Sequence, residues 1–306
     1  MIKPAIDITS ELKDAARYLS QRLMPAAGVI PKLPGIDIHG RAIPYNGVAG
    51  GDLIVYVNFA ERFDLDLRIE RALAKGDEQK AERLRQLKHK GGILVADVSG
   101  HDFSDAARAL MLNQAFQMGT LYEMDLDGEI TTRLFEKINT RFCKSATARN
   151  LAAGPDQSTF ITMIYGEISD SGRFHFVNAG HPSPLVFSLE FDRFVEISPS
   201  RLVSFPPIGI QPLAEQADSK RYQRPLGYKK RYTVNELNLM GRGDILLLYT
   251  DGLLEPLSDY SKERLERCIS AAGRLPASGL CDAIIADRQK AAAINDDLSL
   301  VVIRFT

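Results

Sequence analysis

Apolar positions change their spacing several times along this 306-residue chain, and each change predicts an element. Between Asp7 and Leu23 they recur at helical intervals (Leu12, Ala15, Ala16, Leu19, Leu23). That spacing predicts an amphipathic helix, capped by Thr9 or Ser10 and stopped by Pro25. Alternation of Ile36 and Ile38 with Asp37 and His39 predicts a strand over 36–43. A β-rich run then follows Gly50-Gly51-Asp52. From Glu61 to Lys90 charges of both signs crowd around a sparse apolar spine of Ile69, Leu73, Leu84 and Leu87. Gly76-Asp77 divides this segment into two short helices, a solvated hairpin inserted between core strands. Next, Gly91 to Val98 is an apolar run too short for a helix that drives into Asp97.

Helices are expected over 104–118 and 129–143, and a flexible tract over 146–158. Strands follow over 160–168, 173–178 and 184–188. A Pro-, Gly- and Gln-rich loop fills 199–230, before strands at 232–239 and 244–249. Two helices (261–272, 277–292) precede a closing strand over 298–305. The domain expectation is a helical linker over 1–30 and one domain over 31–306, with the hairpin inserted at about 61–90.

Composition narrows the function classes. With 38 Lys+Arg against 39 Asp+Glu, the net charge is -1, which gives no global attraction for nucleic acid or an anionic membrane. No apolar run approaches the roughly 18 residues of a membrane span, and the N-terminus lacks a signal core. A cytoplasmic protein is expected. Cys143, Cys268 and Cys281 are odd in number and form no CxxC pair, so they read as reduced thiols.

The candidate chemistry lies in four acids that share one context. Asp52 follows Gly-Gly, Asp97 follows Ile-Leu-Val-Ala, Asp251 follows Leu-Leu-Leu-Tyr-Thr, and Asp296 precedes the closing strand. Any one alone reads as a turn or cap residue; four at strand ends of one β-rich domain point to a shared site. Converging carboxylates repel unless cations neutralise them, and an all-oxygen donor set favours Mg²⁺ or Mn²⁺. A haloacid-dehalogenase-type site at Asp125-Leu-Asp127-Gly128 is rejected, because the preceding stretch, 117–124, is polar and helix-adjacent where a buried strand is needed.

Five motifs in order carry a resemblance: Gly-Gly-Asp52, Asp97-Val-Ser-Gly-His101, Asn178-Ala-Gly-His181-Pro, Leu248-Tyr-Thr-Asp251-Gly-Leu-Leu-Glu255 and Asp296-Asp297-Leu-Ser-Leu-Val-Val. Together they resemble the PPM (PP2C-like) serine/threonine phosphatases, in the bacterial branch typified by SpoIIE and RsbU, over about Leu12 to Phe305. The resemblance implies an α+β fold of two stacked antiparallel sheets flanked by helices, with a site for two Mn²⁺ or Mg²⁺ ions at one end. It implies that Asp97 bridges both ions and that the Val98 carbonyl helps bind the second. Asp251 and Asp296 would complete the first site, with Asp297 as the alternative to Asp296. Asp52 would bind the second ion directly or through water. His101 is a candidate proton donor to the leaving seryl oxygen, or else a structural neighbour of the ions.

The implied activity is hydrolysis of phosphoserine or phosphothreonine on a small regulatory protein, an anti-sigma-factor antagonist of the STAS class, in partner-switching signalling. The N-terminal helix would serve a homodimer; relatives usually carry a sensor domain upstream, and none is expected before Met1. Two departures from the family pattern stand out: Asp102 where Gly is usual, and Val55-Tyr56 where a further Asp is usual. Asp102 supports the alternative of a catalytically impaired module that binds a phosphoprotein. Finally, Arg83, Arg85, Lys88 and Lys90 on the second hairpin arm are expected either to steer an acidic phosphoprotein or to belong to a solvated decoration with no role.

Overall fold

The computed structural model describes residues 14, 18, 30–45, 50–99, 103–150, 160–215, 227–238, 241–254, 260–291 and 295–306. Of the N-terminal helix expected from the pattern, only Asp14 and Tyr18 are among them, both helical; its apolar face lies outside the described residues. The elements in chain order are β1 (Ile36–Ile43), β2 (Leu53–Asn58), a single turn α1 (Phe59–Arg62), α2 (Leu65–Ala74), α3 (Glu78–Leu87) and β3 (Lys90–Val98). Then come α4 (Phe103–Leu126), α5 (Thr132–Asn150), β4 (Ile161–Ser169), β5 (Arg173–Ala179), β6 (Leu185–Ser188), β7 (Arg193–Phe194) and β8 (Ser204–Phe205). Last are β9 (Asn235–Asn238), β10 (Ile245–Tyr249), α6 (Lys262–Ala272), α7 (Ala277–Ala291) and β11 (Leu298–Phe305).

One sheet runs β1-β11-β10-β6-β7; the other runs β2-β3-β4-β5-β8, with β9 also paired to β5. All these pairings are antiparallel except the two-residue β5–β8 contact. The period-two alternation of a strand sends neighbouring residues to opposite faces, and both faces are buried here. Ile54, Tyr56, Ile93 and Val95 pack between the sheets with Leu246, Leu248, Val301 and Ile303 of the other sheet. Their neighbours Leu53, Val55, Leu94 and Ala96 pack outward against Leu112, Phe116, Phe135 and Ile138 of α4 and α5. On the opposite side Leu247 and Val302 meet Leu265, Ile269, Leu280 and Ile284 of α6 and α7. The result is a helix–sheet–sheet–helix sandwich, the architecture that the resemblance implies.

Two differences from the expected elements have physical reasons. Helix α4 continues past Met118 to Leu126 because Gly119 is a packing contact, not a stop: a Cβ there would collide with Leu134 of α5. The charged hairpin is also less solvated than its composition suggests. Asp64 and Asp77 cap α2 and α3 by accepting from Leu67 N and Lys80 N, both at 3.0 Å. The inner faces of the two helices (Leu65, Ile69, Ala72; Ala81, Leu84, Leu87) join the core beneath α4 and α5. The four cations of the second arm are each taken up inside the chain: Arg83 by Glu129, Arg85 by Glu82, Lys88 by Asp66 and Lys90 by Glu167. The cations named for steering therefore each have an ion-pair partner within the chain.

Candidate active site

Strand register decides where the acids go. Leu53 is paired with Ala96, and Val98 N donates to Gly51 O at 3.3 Å, so Asp52 and Asp97 lie alongside each other at one end of β2 and β3. Asp52 shares parity with Ile54 and Tyr56, and Asp97 with Ile93 and Val95. Both carboxylates therefore belong to the layer between the sheets. The same parity holds on the facing strands: Thr250 continues Leu246 and Leu248, and Ser299 continues Val301 and Ile303. At this one end the inter-sheet layer changes from apolar to polar.

A continuous set of hydrogen bonds ties the sheets together there. The fully buried Thr250 hydroxyl donates to Asp52 Oδ2 at 2.7 Å and accepts from Ser299 N at 2.8 Å. Asp297 accepts from Tyr45 N at 2.7 Å and from Gly51 N at 2.6 Å, which anchors the Gly-Gly step to the start of β11. Gly50 is required for that approach, since a Cβ would fall on the Asp297 carboxyl. Asp297 is thus occupied by backbone donors and only 3% exposed, whereas Asp296 is half-buried and accepts from Asp297 N at 2.8 Å. Beside them, Thr162 lies opposite Asp97 on β4 and bonds His181 Nδ1 at 2.9 Å. Asn178 braces the His181 turn, accepting from His181 N and donating to His181 O. Burial pushes the His181 pKa down to about 3, so the ring is neutral.

Burial raises the pKa of three of the clustered acids, Asp52, Asp97 and Asp297. Burial, then the charges of Asp251, Asp296, Asp297 and Asp105, pushes Asp97 up to about 7. Burial and Asp97 hold Asp52 well above the usual carboxylate range, against the lowering hydrogen bond from Thr250. Asp52 Oδ1 is buried with no hydrogen-bond partner among the described residues. Asp251 follows β10 on an exposed turn, and its charge is the largest acting on Asp97. Val98 closes β3 opposite Ile161. His101, Asp102 and Glu255 lie outside the described residues.

An oxygen-only donor set with an orphaned carboxylate oxygen and a mutually repelling group of acids fits divalent cations in chemistry and charge. Distance is a separate matter: among the described residues no three acid, His or Cys side chains are gathered closely enough to hold an ion as they stand. Thr250 and Thr162 were not singled out from sequence, although inward strand parity marks both. Asp125 and Asp127 sit at the end of α4, ion-paired to Arg68 and Arg133, which agrees with rejecting a dehalogenase-type site.

The comparisons with known proteins agree on this architecture. The family model described as "Stage II sporulation protein E (SpoIIE)" matches residues 88–306. Among solved structures, the RsbU and RsbW domains of a Mycobacterium tuberculosis protein superpose with a TM-score of 0.59 at 21% identity. That match covers 92% of this chain but 63% of the other, so the chain spans less than two thirds of that protein. The SiaA-PP2C domain of Pseudomonas aeruginosa gives a TM-score of 0.60 at 14% identity, covering 99% of this chain and 100% of that one. RsbX in complex with magnesium gives 0.51 at 11% identity, covering 90% and 98%. At such identities these likenesses are of fold. The family match spans well over half of the sequence, and on it the chain belongs to the SpoIIE family, within the SpoIIE/RsbU branch of PPM (PP2C-like) phosphatases.

Proposed function

We propose that this chain is a metal-dependent protein serine/threonine phosphatase acting on a small phosphorylated regulatory protein, of the STAS type, in the cytoplasm. The observation that carries the reading is the pairing of Asp52 and Asp97 at the polar end of the inter-sheet layer, with Asp251 and Asp296 close enough to raise Asp97. Asp97 would help hold two cations, Mn²⁺ or Mg²⁺, with Asp251 and Asp296 serving one and Asp52 with the Val98 carbonyl the other. RsbX, a protein of the same fold, is known with magnesium bound. Bound there, such ions neutralise the acids, acidify water and polarise a phosphoryl oxygen.

The chain's own residues prepare that place. Thr250 fixes the Asp52 carboxylate from the facing sheet, and Asp297 holds the Gly50-Gly51 backbone that carries it. Because Asp297 is spent on backbone donors, Asp296 is the acid assigned to the ion. His101 is kept as a candidate proton donor to the seryl oxygen, and residues 1–30 as a dimerising linker. The test is phosphate release from an aryl phosphate and from a phosphoserine STAS protein. Activity should require Mn²⁺ or Mg²⁺, vanish with chelator, and fall by several orders of magnitude in Asp97→Ala and Asp251→Ala while both still fold. Full activity in either variant would sink the assignment. A folded wild type that binds phosphoprotein without turnover would leave the binding-module alternative.

A further inference from the structure

A groove of about 800 Å³ lies between α2 and α4, on the helical side of the molecule. It is remote from the acids: its α4 wall runs from Gln114 to Asp125, roughly 17–33 Å along the axis from the start of the helix at 1.5 Å per residue. Spacing makes it continuous on both walls. Gln114, Gln117, Met118, Leu121 and Asp125 form one stripe of α4, and Leu67, Arg68, Arg71 and Lys75 one stripe along α2.

The apolar surface in this groove is unusually open. Met118 is 66% exposed, Leu121 41% and Leu67 40%, above the buried Phe63 and Ala72. Charge around it is unbalanced, with five cations against three acids. Asp125 is ion-paired to Arg68 at 2.6 Å, and Asp64 and Asp77 keep their charge while capping α2 and α3, so the lining carries a net of two positive charges. Arg62 and Lys80 donate to the Gln117 and Asp125 carbonyls, which satisfies hydrogen bonds without removing charge. Arg71 and Lys75, one turn apart, have no ion-pair partner among the described residues.

We propose that this groove docks an acidic amphipathic helix of a partner protein, its apolar face on Leu67, Met118 and Leu121 and its carboxylates on Arg71 and Lys75. Size agrees: two turns of α-helix, about 11 Å long and 10 Å across, occupy nearly the same volume. Helix-in-groove recognition needs an apolar floor with charged flanks, and both are present. The chain's own amphipathic segment is a poorer complement, because its three acids (Asp7, Glu11, Asp14) are balanced by Lys13, Arg17 and Arg22.

The experiment uses the full chain and a fluorescent helical peptide of about 18 residues, long enough to be helical. It carries Leu at i, i+3, i+4 and i+7 with Glu flanks, and a control peptide carries Lys flanks. Anisotropy titrations should show saturable binding of the Glu peptide, weakened as salt rises past the point where the Debye length falls below about 10 Å. Arg71→Glu/Lys75→Glu should weaken it about tenfold, equivalent to about 1.4 kcal/mol, and Met118→Ser/Leu121→Ser should abolish it. Unchanged circular dichroism in both variants excludes misfolding. The proposal is overturned if the Lys peptide binds as well, if the Glu peptide does not saturate, or if the charge reversal has no effect. Sedimentation decides the remaining occupant: a wild-type dimer that Met118→Ser/Leu121→Ser dissociates would assign the groove to a second copy and overturn it too. None of these readouts needs turnover, so the proposal stands or falls apart from the phosphatase reading.

Discussion

Asp97→Asn should stabilise the protein when metal is withheld. The carboxyl of Asp97 is pushed from 3.8 to about 7 by burial and by Asp251, Asp296, Asp297 and Asp105. The folded chain therefore keeps this proton to higher pH than the unfolded chain does. Below about pH 3.8 both states are protonated and the site costs nothing. As pH rises towards 7 and beyond, the unfolded chain ionises freely while the fold must ionise against its neighbours, so stability is lost. At about 1.4 kcal/mol for each pH step between the two values, the ceiling is roughly 4 kcal/mol at pH 8. Asp97 is half-buried, so solvent screening brings a realistic figure to about 2 kcal/mol.

The assay is thermal unfolding of wild type and Asp97→Asn in chelator at pH 5 and pH 8. The variant should melt about 4 °C higher at pH 8, at about 2 °C per kcal/mol for a chain this long, and less than half of that at pH 5. Added Mn²⁺ or Mg²⁺ should reverse the order, since a ligand at a hundred times its Kd contributes about 2.7 kcal/mol to the wild type alone. A variant less stable than wild type at pH 8 in chelator, or a gap independent of pH, would refute the electrostatic account of the site.

Other perturbations test neighbouring parts of the argument. Thr250→Val removes the hydroxyl shared by Asp52 Oδ2 and Ser299 N and should cost about 2–3 kcal/mol in urea unfolding, whereas Thr250→Ser should recover most of it. Equal losses in the two variants would mean that packing, not the hydrogen bonds, matters there. Lys229 is buried, donates to the Tyr232 hydroxyl, and is lowered by burial to about 7 from 10.5. Its folded pKa lies below the unfolded one, so its burial cost is greatest below pH 7 and disappears towards pH 10.5. Lys229→Met should therefore gain most over wild type near pH 6 and least near pH 10, and a flat difference across that range contradicts this. In the N-terminal segment, Leu12→Glu/Leu19→Glu should convert a dimer to monomer in sedimentation; a wild type that is already monomeric removes the dimer proposal.

Legibility from sequence followed the strength of local signals. β1 and β11 were readable to the residue because Ile36 and Ile38 alternate with polar neighbours and the Leu298–Phe305 run is largely apolar. The break at Gly76 was equally plain, because its φ of +74° is one that few other residues adopt. The end of α4 was not, because Gly119 looks the same in sequence whether it stops a helix or admits a neighbour's Leu134. Partners of surface charges were invisible for a related reason. Lys88 finds Asp66 and Lys90 finds Glu167 across distances that no spacing rule reaches. The acids proposed for the site stand out in the sequence as strand ends, but spacing cannot rank Asp296 against its neighbour Asp297. Only the backbone donors on Asp297 separate it from Asp296.

The same layer explains why such a site can exist in a stable fold. An apolar strand interior fixes register, since a slip of one residue would send Ile54, Tyr56, Ile93 and Val95 to the helical side. Register then carries Asp52 and Asp97 to adjacent positions without any attraction between them. Their repulsion is tolerated because each sheet is covered on its outer face by a separate core, one holding Phe116 and Phe135, the other Leu280 and Ile284. Those cores lie on the far side of each sheet from the carboxylates and do not depend on their charge. Neutralising the acids should therefore change stability locally and leave the sandwich intact. This is why variants at Asp52 or Asp97 are expected to remain folded, so that loss of turnover in them reports on chemistry.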